Sequence, residues 1–145
     1  MNKLKLLLKN EARFLLFRDI PSSEFFELKQ AFLVFGIVST LVAGFGRYWD
    51  NPRAELWQLL GLGSLAYIFI LAAILWLLLL PLNPNNWRYL NILTFLGMTS
   101  PLAFLYAIPV ERFMSLSNAQ LANVWFLAIV AVWRVSLLFK FLKRR

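Results

Sequence analysis

The 145-residue chain contains no histidine and no cysteine. That removes the commonest general base, the commonest metal ligand, disulfides and thiolate sites together. The seven acids are Glu11, Asp19, Glu24, Glu27, Asp50, Glu55 and Glu111, and all fall in predicted termini, loops or helix ends. None is placed to form a buried aspartyl pair, and Ser64, Ser100 and Ser136 have no base near them in sequence. No nucleophile–base arrangement and no His-rich metal motif can be built from this inventory. The expectation is a protein that is not an enzyme and carries no cofactor and no metal.

One residue stands where its chemistry is costly. Arg134 interrupts an apolar run some six residues, or roughly 9 Å of helix, before Lys140. A charge at the centre of a membrane span costs about 2.5–3.5 kcal/mol on insertion scales, and such residues are often functional. Asn123 lies three helical turns earlier with Gln120 beside it, so Gln120, Asn123 and Arg134 share one face. Thr94 and Asn91, near one end of the preceding apolar run, sit at a depth to meet Arg134. The set Arg134, Asn123, Gln120, Thr94 and Asn91 is therefore a candidate intramembrane polar site. Structural anchoring, with Arg134 snorkelling to nearby headgroups, is the competing reading. Glu111 and Arg112 form a second candidate, either an outward-facing ion pair or a solvated loop.

Small residues mark the packing surfaces. Gly36, Thr40 and Gly44 recur every four residues, a spacing that lays a smooth stripe along one helix. Ser100, Ala103 and Ala107 do similar work further on. Gly61-Leu62-Gly63-Ser64-Leu65-Ala66 matches a dinucleotide-binding pattern, but that pattern acts only between a strand and a helix. Inside an apolar helix Gly61 and Gly63 read as packing glycines.

The elements that position these residues are four apolar spans. Apolar residues make up 61% of the chain and charged residues 15%, too few charges to cover a small soluble domain. The first span covers about residues 30–48, with a helix that starts earlier, near Ser22, and places Glu24 and Glu27 in its first turns. Its length, and the acids before it, favour a retained helix over a secretory signal. The second covers about 56–81: Asn51-Pro52 reads as its helix start and Pro81 to Pro84 as its end. The third, about 89–109, is expected to kink at Thr99-Ser100-Pro101, with hydroxyls satisfying the freed carbonyls. The fourth, about 118–140, opens on a Ser117-x-x-Gln120 capping box.

The net charge of +8 is carried at the ends of these spans. Lys3, Lys5, Lys9, Arg13, Arg18, Lys29, Arg88, Lys140, Lys143, Arg144 and Arg145 fall on one side; Arg47, Arg53 and Arg112 fall on the other. The positive-inside rule then puts both termini in the cytoplasm. Trp49 and Trp57 mark the outer interface, and Trp87 and Tyr89 the inner one. Residues 1–21 form a basic, apolar cytoplasmic segment, read either as a helix on the membrane surface or as a docking segment. Residues 22–142 form the transmembrane domain and 143–145 a basic tail.

The fold class expected is an all-α integral membrane protein, a four-helix transmembrane bundle with an N-terminal interfacial helix. Its partners are the lipid bilayer, anionic headgroups on the cytoplasmic side, and other membrane subunits or further copies of itself, with no nucleic acid. Compactness and the lack of an organelle-targeting pattern point to a bacterial inner membrane. The function that fits best is a non-catalytic accessory or assembly component of a membrane complex. An oligomeric pore or small transporter lined around Arg134, and a membrane-shaping protein acting through its first helix, are the alternatives.

Overall fold

The computed structural model describes residues 2–49, 51–82 and 88–143, and the described residues form helices and turns without a strand. Four helical stretches are long and apolar enough to cross a membrane: Ser22–Tyr48, Leu62–Leu79, Tyr89–Arg112 and Leu116–Lys143. The expected inner-interface Trp87, the end of the second span at Asn83-Pro84, and the tail residues Arg144 and Arg145 lie outside the described residues.

Helix α1 (Lys3–Leu15) is capped by Asn2, whose side chain accepts the Leu4 N–H. Its Leu7, Asn10 and Glu11 face is buried, while Leu4 and Leu8 stay exposed. The chain then reverses through Phe17, which adopts φ 58°, a conformation costly for a bulky side chain. Surrounding contacts hold it there. The Phe17 ring stacks on Trp133, the Trp133 indole N–H donates to the Leu15 carbonyl at 2.9 Å, and Lys140 donates to the Phe17 carbonyl. Lys140 also pairs with Asp19 at 3.0 Å. The N-terminal helix is thus folded onto the end of the bundle rather than set apart from it.

Helix α2 (Ser22–Tyr48) starts directly after Pro21, with Glu24 in its first turn. The second span departs from the sequence reading. Its helix does not begin at Pro52. Glu55 is the N-cap of a single turn, α3 (Leu56–Leu59), and shares a capping box with Gln58. Gly61 then takes φ 68° and breaks the helix before α4 (Leu62–Leu79) begins. Glycine is required at this break for two reasons: the left-handed backbone, and a Cβ there that would stand 2.5 Å from the Leu41 carbonyl oxygen. The Gly-x-Gly-x-x-Ala segment therefore straddles a helix break instead of lying within one helix.

The third span changes helix type where a kink was expected. Helix α5 (Tyr89–Met98) stops before Thr99, and residues Ser100–Ala107 continue as a 3₁₀ helix. Pro101 removes an α-helical N–H, and the Thr99 and Ser100 hydroxyls cap the Leu96 carbonyl at 2.7 and 3.3 Å. A 3₁₀ stretch of eight residues is unusually long. Its rise of about 2.0 Å per residue, against about 1.5 Å for an α-helix, stretches the span toward the ~30 Å hydrocarbon thickness. Helix α6 (Leu116–Lys143) starts one residue before Ser117, so Ser117 lies in its first turn and does not cap it.

The core sits around the third span, whose residues Ile92 to Met98 are all buried. One cluster joins Ile68, Ala72, Ile92, Phe95 and Leu137; another joins Leu7, Ile20, Leu28, Phe32 and Met98 and so includes α1. In contrast α4 and α6 are mostly exposed on all but one side.

Glu11 gives this docking a pH dependence. Both its carboxylate oxygens are buried without a hydrogen-bond partner among the described residues, and burial raises its pKa from 4.5 to about 8. Docked α1 therefore keeps the Glu11 proton between about pH 4.5 and 8, where the undocked helix has lost it. Docking weakens as pH rises through that window, by on the order of 5 kcal/mol in total, and is weakest above it. Glu11→Gln should abolish this slope and strengthen α1 protection at pH 7.5, as read by hydrogen exchange of residues 3–15 from pH 5 to 8.5. An unchanged slope in the variant assigns the dependence to another group.

Candidate functional site

The site is built where α2, α4 and α6 meet the helix-type change in the third span. Small residues on α2 allow the approach: a Cβ on Gly36 would stand 2.5 Å from the Gly97 Cα, and one on Gly44 would stand 2.7 Å from the Gly61 Cα. At this distance Thr40 donates to its own Gly36 carbonyl at 2.8 Å and lies 2.7 Å from the Ser100 hydroxyl. A hydroxyl pair inside an apolar bundle fixes the register of the two spans. Ala107 closes the far end of the seam against Gly46, and the Gly63 position faces Trp57.

Beside this seam lies a cleft of about 430 Å³, within the range of small-ligand sites. Thr40, Ser64, Tyr67, Ser100 and Tyr106 give it hydroxyls, Gln58 an amide, and Arg47 and Arg134 two guanidinium groups. Ala43, Ile68, Ala103 and Leu127 supply apolar wall. Among the described residues that line it there is no carboxylate. Arg47 is an exposed part of the lining, seven residues (roughly 10 Å of helix) from Thr40. Arg134 enters from α6 and makes one long contact, 3.5 Å to the Thr99 carbonyl. Its Nε is buried with no partner among the described residues. Since a guanidinium carries five donors and cannot shed its charge, this is an under-satisfied cation.

The other residues singled out from the sequence go elsewhere. Asn123 donates to Glu111 at 2.8 Å, and Gln120 is exposed. Thr94 bonds the Leu90 carbonyl of its own helix, and Asn91 accepts from Lys29. Arg134 meets the third span further along, at Thr99, so the five residues do not form one site. Thr99 caps the same α-helix that carries Thr94, roughly 7.5 Å further along it, and the Arg134 contact falls there. Glu111 and Arg112 also part company: Glu111 turns to Asn123, and Arg112 lies over the Trp49 ring at 4.8 Å. Arg47 and Tyr67 were not singled out in sequence, and Tyr106 stood out only as part of a distinctive segment with no role attached. Arg47 read as a span-ending charge, whereas Tyr67, a tyrosine inside an apolar span, was a usable signal.

Chemically the cleft offers donors and positive charge, an arrangement suited to holding an oxyanion. Among the described residues no three His, Cys, Asp or Glu side chains gather as metal ligands would. Comparison with protein-family models, with curated proteins and with solved structures finds no match.

The geometry separates an anchor from a binding group. A guanidinium with one long hydrogen bond gives little stability in return for its burial cost, whereas a leucine of similar reach would pack without that cost. Arg134→Leu should leave thermal stability in detergent unchanged or raise it, by up to about 3 kcal/mol. A fall of more than about 1 kcal/mol would identify Arg134 as a structural anchor.

Proposed function

We propose that this chain is a multi-pass membrane protein, with both termini cytoplasmic, that acts by holding a ligand group non-covalently in the cleft around Arg134. It serves as a non-catalytic accessory component of a membrane process, in keeping with a bacterial inner membrane. The observation that carries this reading is the Arg134 guanidinium, turned into a 430 Å³ cleft with no carboxylate among the described lining residues. A bundle that buried a permanent cation for packing alone would give it carbonyls or acids; this one leaves it a space.

The reading draws support from the four apolar stretches and from the charge bias that flanks them. A path between copies of the chain is less well supported, because Asn123 and Gln120 do not continue the polar surface of Arg134. The surface role of α1 fits its exposed Leu4, Leu8 and Leu16 and its lysines, which supply an anionic-headgroup contact beside the docked face.

The chain has no cysteine, so single cysteines report without background. In intact cells or right-side-out vesicles, Asn118→Cys should react with a membrane-impermeant maleimide and Lys143→Cys only after permeabilisation. Ala103→Cys, inside the cleft, should react with a small charged methanethiosulfonate. Labelling of Lys143→Cys before permeabilisation reverses the topology; an inert Ala103→Cys removes the open cleft.

The accessory role has its own observable. Helix α6 presents Val124, Val132, Val135 and Phe139 outward, an apolar surface for lipid or a partner helix. Purification in mild detergent should retain a different membrane protein at fixed stoichiometry. Recovery of this chain alone, or only of its homo-oligomers, counts against that role.

A further inference from the structure

The cleft also restricts what can occupy it. Its two guanidinium groups have no carboxylate counterpart among the described lining residues, so the occupant must bring negative charge. The donors are of the kind that recognise phosphate: a forked guanidinium for bidentate contact, phenols at Tyr67 and Tyr106, and the Ser64 hydroxyl.

The walls argue for an amphiphile rather than a free anion. Between the polar groups lie Ala43, Ile68, Ala103 and Leu127. Helices α4 and α6 both pack on the third span or its neighbours but not closely on one another. Tyr67 on α4 and Leu127 on α6 line the cleft yet remain 53% and 56% exposed, so it opens sideways between those helices. An acyl chain can leave through that opening into the bilayer while its headgroup stays inside. Arg47 and Tyr48 line the cleft at the end of α2, where an interface is expected, and headgroups are concentrated at that level. A volume of about 430 Å³ takes a headgroup and the start of its chains, not a whole lipid.

We propose that the cleft binds the phosphate headgroup of an anionic membrane lipid, with Arg134 and Arg47 as its phosphate-binding residues and its acyl chains leaving between α4 and α6. Two guanidinium groups without an acid repel the ammonium of a choline headgroup, which sets the selectivity against zwitterionic lipid. This inference rests on the cleft being the working site, as proposed above.

The test uses the full chain carrying Ala103→Cys, in a neutral detergent, and reads the rate of its reaction with a charged methanethiosulfonate. Dioleoyl phosphatidic acid, dioleoyl phosphatidylcholine and inorganic phosphate are each added in turn. Phosphatidic acid should slow labelling, and loss of one charge-assisted contact through Arg134→Gln or Arg47→Gln should weaken that protection about tenfold or more. Arg134→Lys, which keeps charge without the fork, should retain part of it. Native mass spectrometry of each variant, showing the bound lipid or its loss on an intact chain, separates lost binding from lost folding.

Equal protection by phosphatidylcholine, or protection that survives both Arg→Gln substitutions, overturns the phosphate assignment and leaves a ligand-holding cleft standing. Equal protection by inorganic phosphate assigns the site to a soluble anion and overturns the lipid. If Ala103→Cys reacts freely whatever is added, the lipid inference fails alone. If Ala103→Cys does not react even without additions, the cleft is closed and both readings fail together.

Discussion

Backbone-to-backbone contact between α2 and the third span is the constraint on which this molecule depends. Gly36 faces Gly97 with no room for a side chain of its own, and Gly44 meets Gly61 two steps along the same stripe. For helices this apolar, close packing and hydrogen bonds are what fix one neighbour against another. The glycines permit the first, and the Thr40–Ser100 hydroxyl pair supplies the second. Everything around the cleft follows from that distance. A wider seam would part Thr40 from Ser100, and with it the wall against which Arg134 and Tyr106 are placed.

Pro101 shapes what the seam leaves open. By ending α5 and passing the chain into a 3₁₀ helix, it shifts each later residue relative to α2, α4 and α6. The two adjacent hydroxyls make that change tolerable by capping the Leu96 carbonyl. Arg134 then meets a backbone carbonyl, Thr99, that already accepts the Leu102 N–H. Its poor satisfaction is thus a product of local backbone geometry, not of distance from polar groups.

The four long apolar helices were legible in the sequence because length and hydropathy are read from it directly. Charges at Lys29, Arg47, Arg88 and Arg112 punctuate them, and the small-residue stripe was legible for the same reason: only its spacing matters. Arg134 was legible as an anomaly. Its neighbours were not. Depth arithmetic pointed to Thr94 and Asn91, whereas the contact falls at Thr99, roughly 7.5 Å beyond Thr94 on the same helix. The start of the second span was hidden for another reason. Pro52 is a sound first-turn residue, but the capping box at Glu55 and the left-handed Gly61 set the true boundary through contacts with Leu41 on a different helix. Glu11 was grouped with the acids of termini, loops and helix ends, and the docking of α1 buries it. Long-range packing of this kind leaves no local pattern.

The fastening of α1 has a consequence for how the protein is made. The strained turn at Phe17 is held from α6: Trp133 bonds the Leu15 carbonyl across a sequence separation of 118 residues, and Lys140 secures Phe17 and Asp19. A ribosome adding 5–20 residues per second needs between roughly 6 and 24 s to pass from one to the other. Throughout that interval the clasp on the first helix does not yet exist. The N-terminal segment is therefore among the first parts to be synthesised and among the last to be locked.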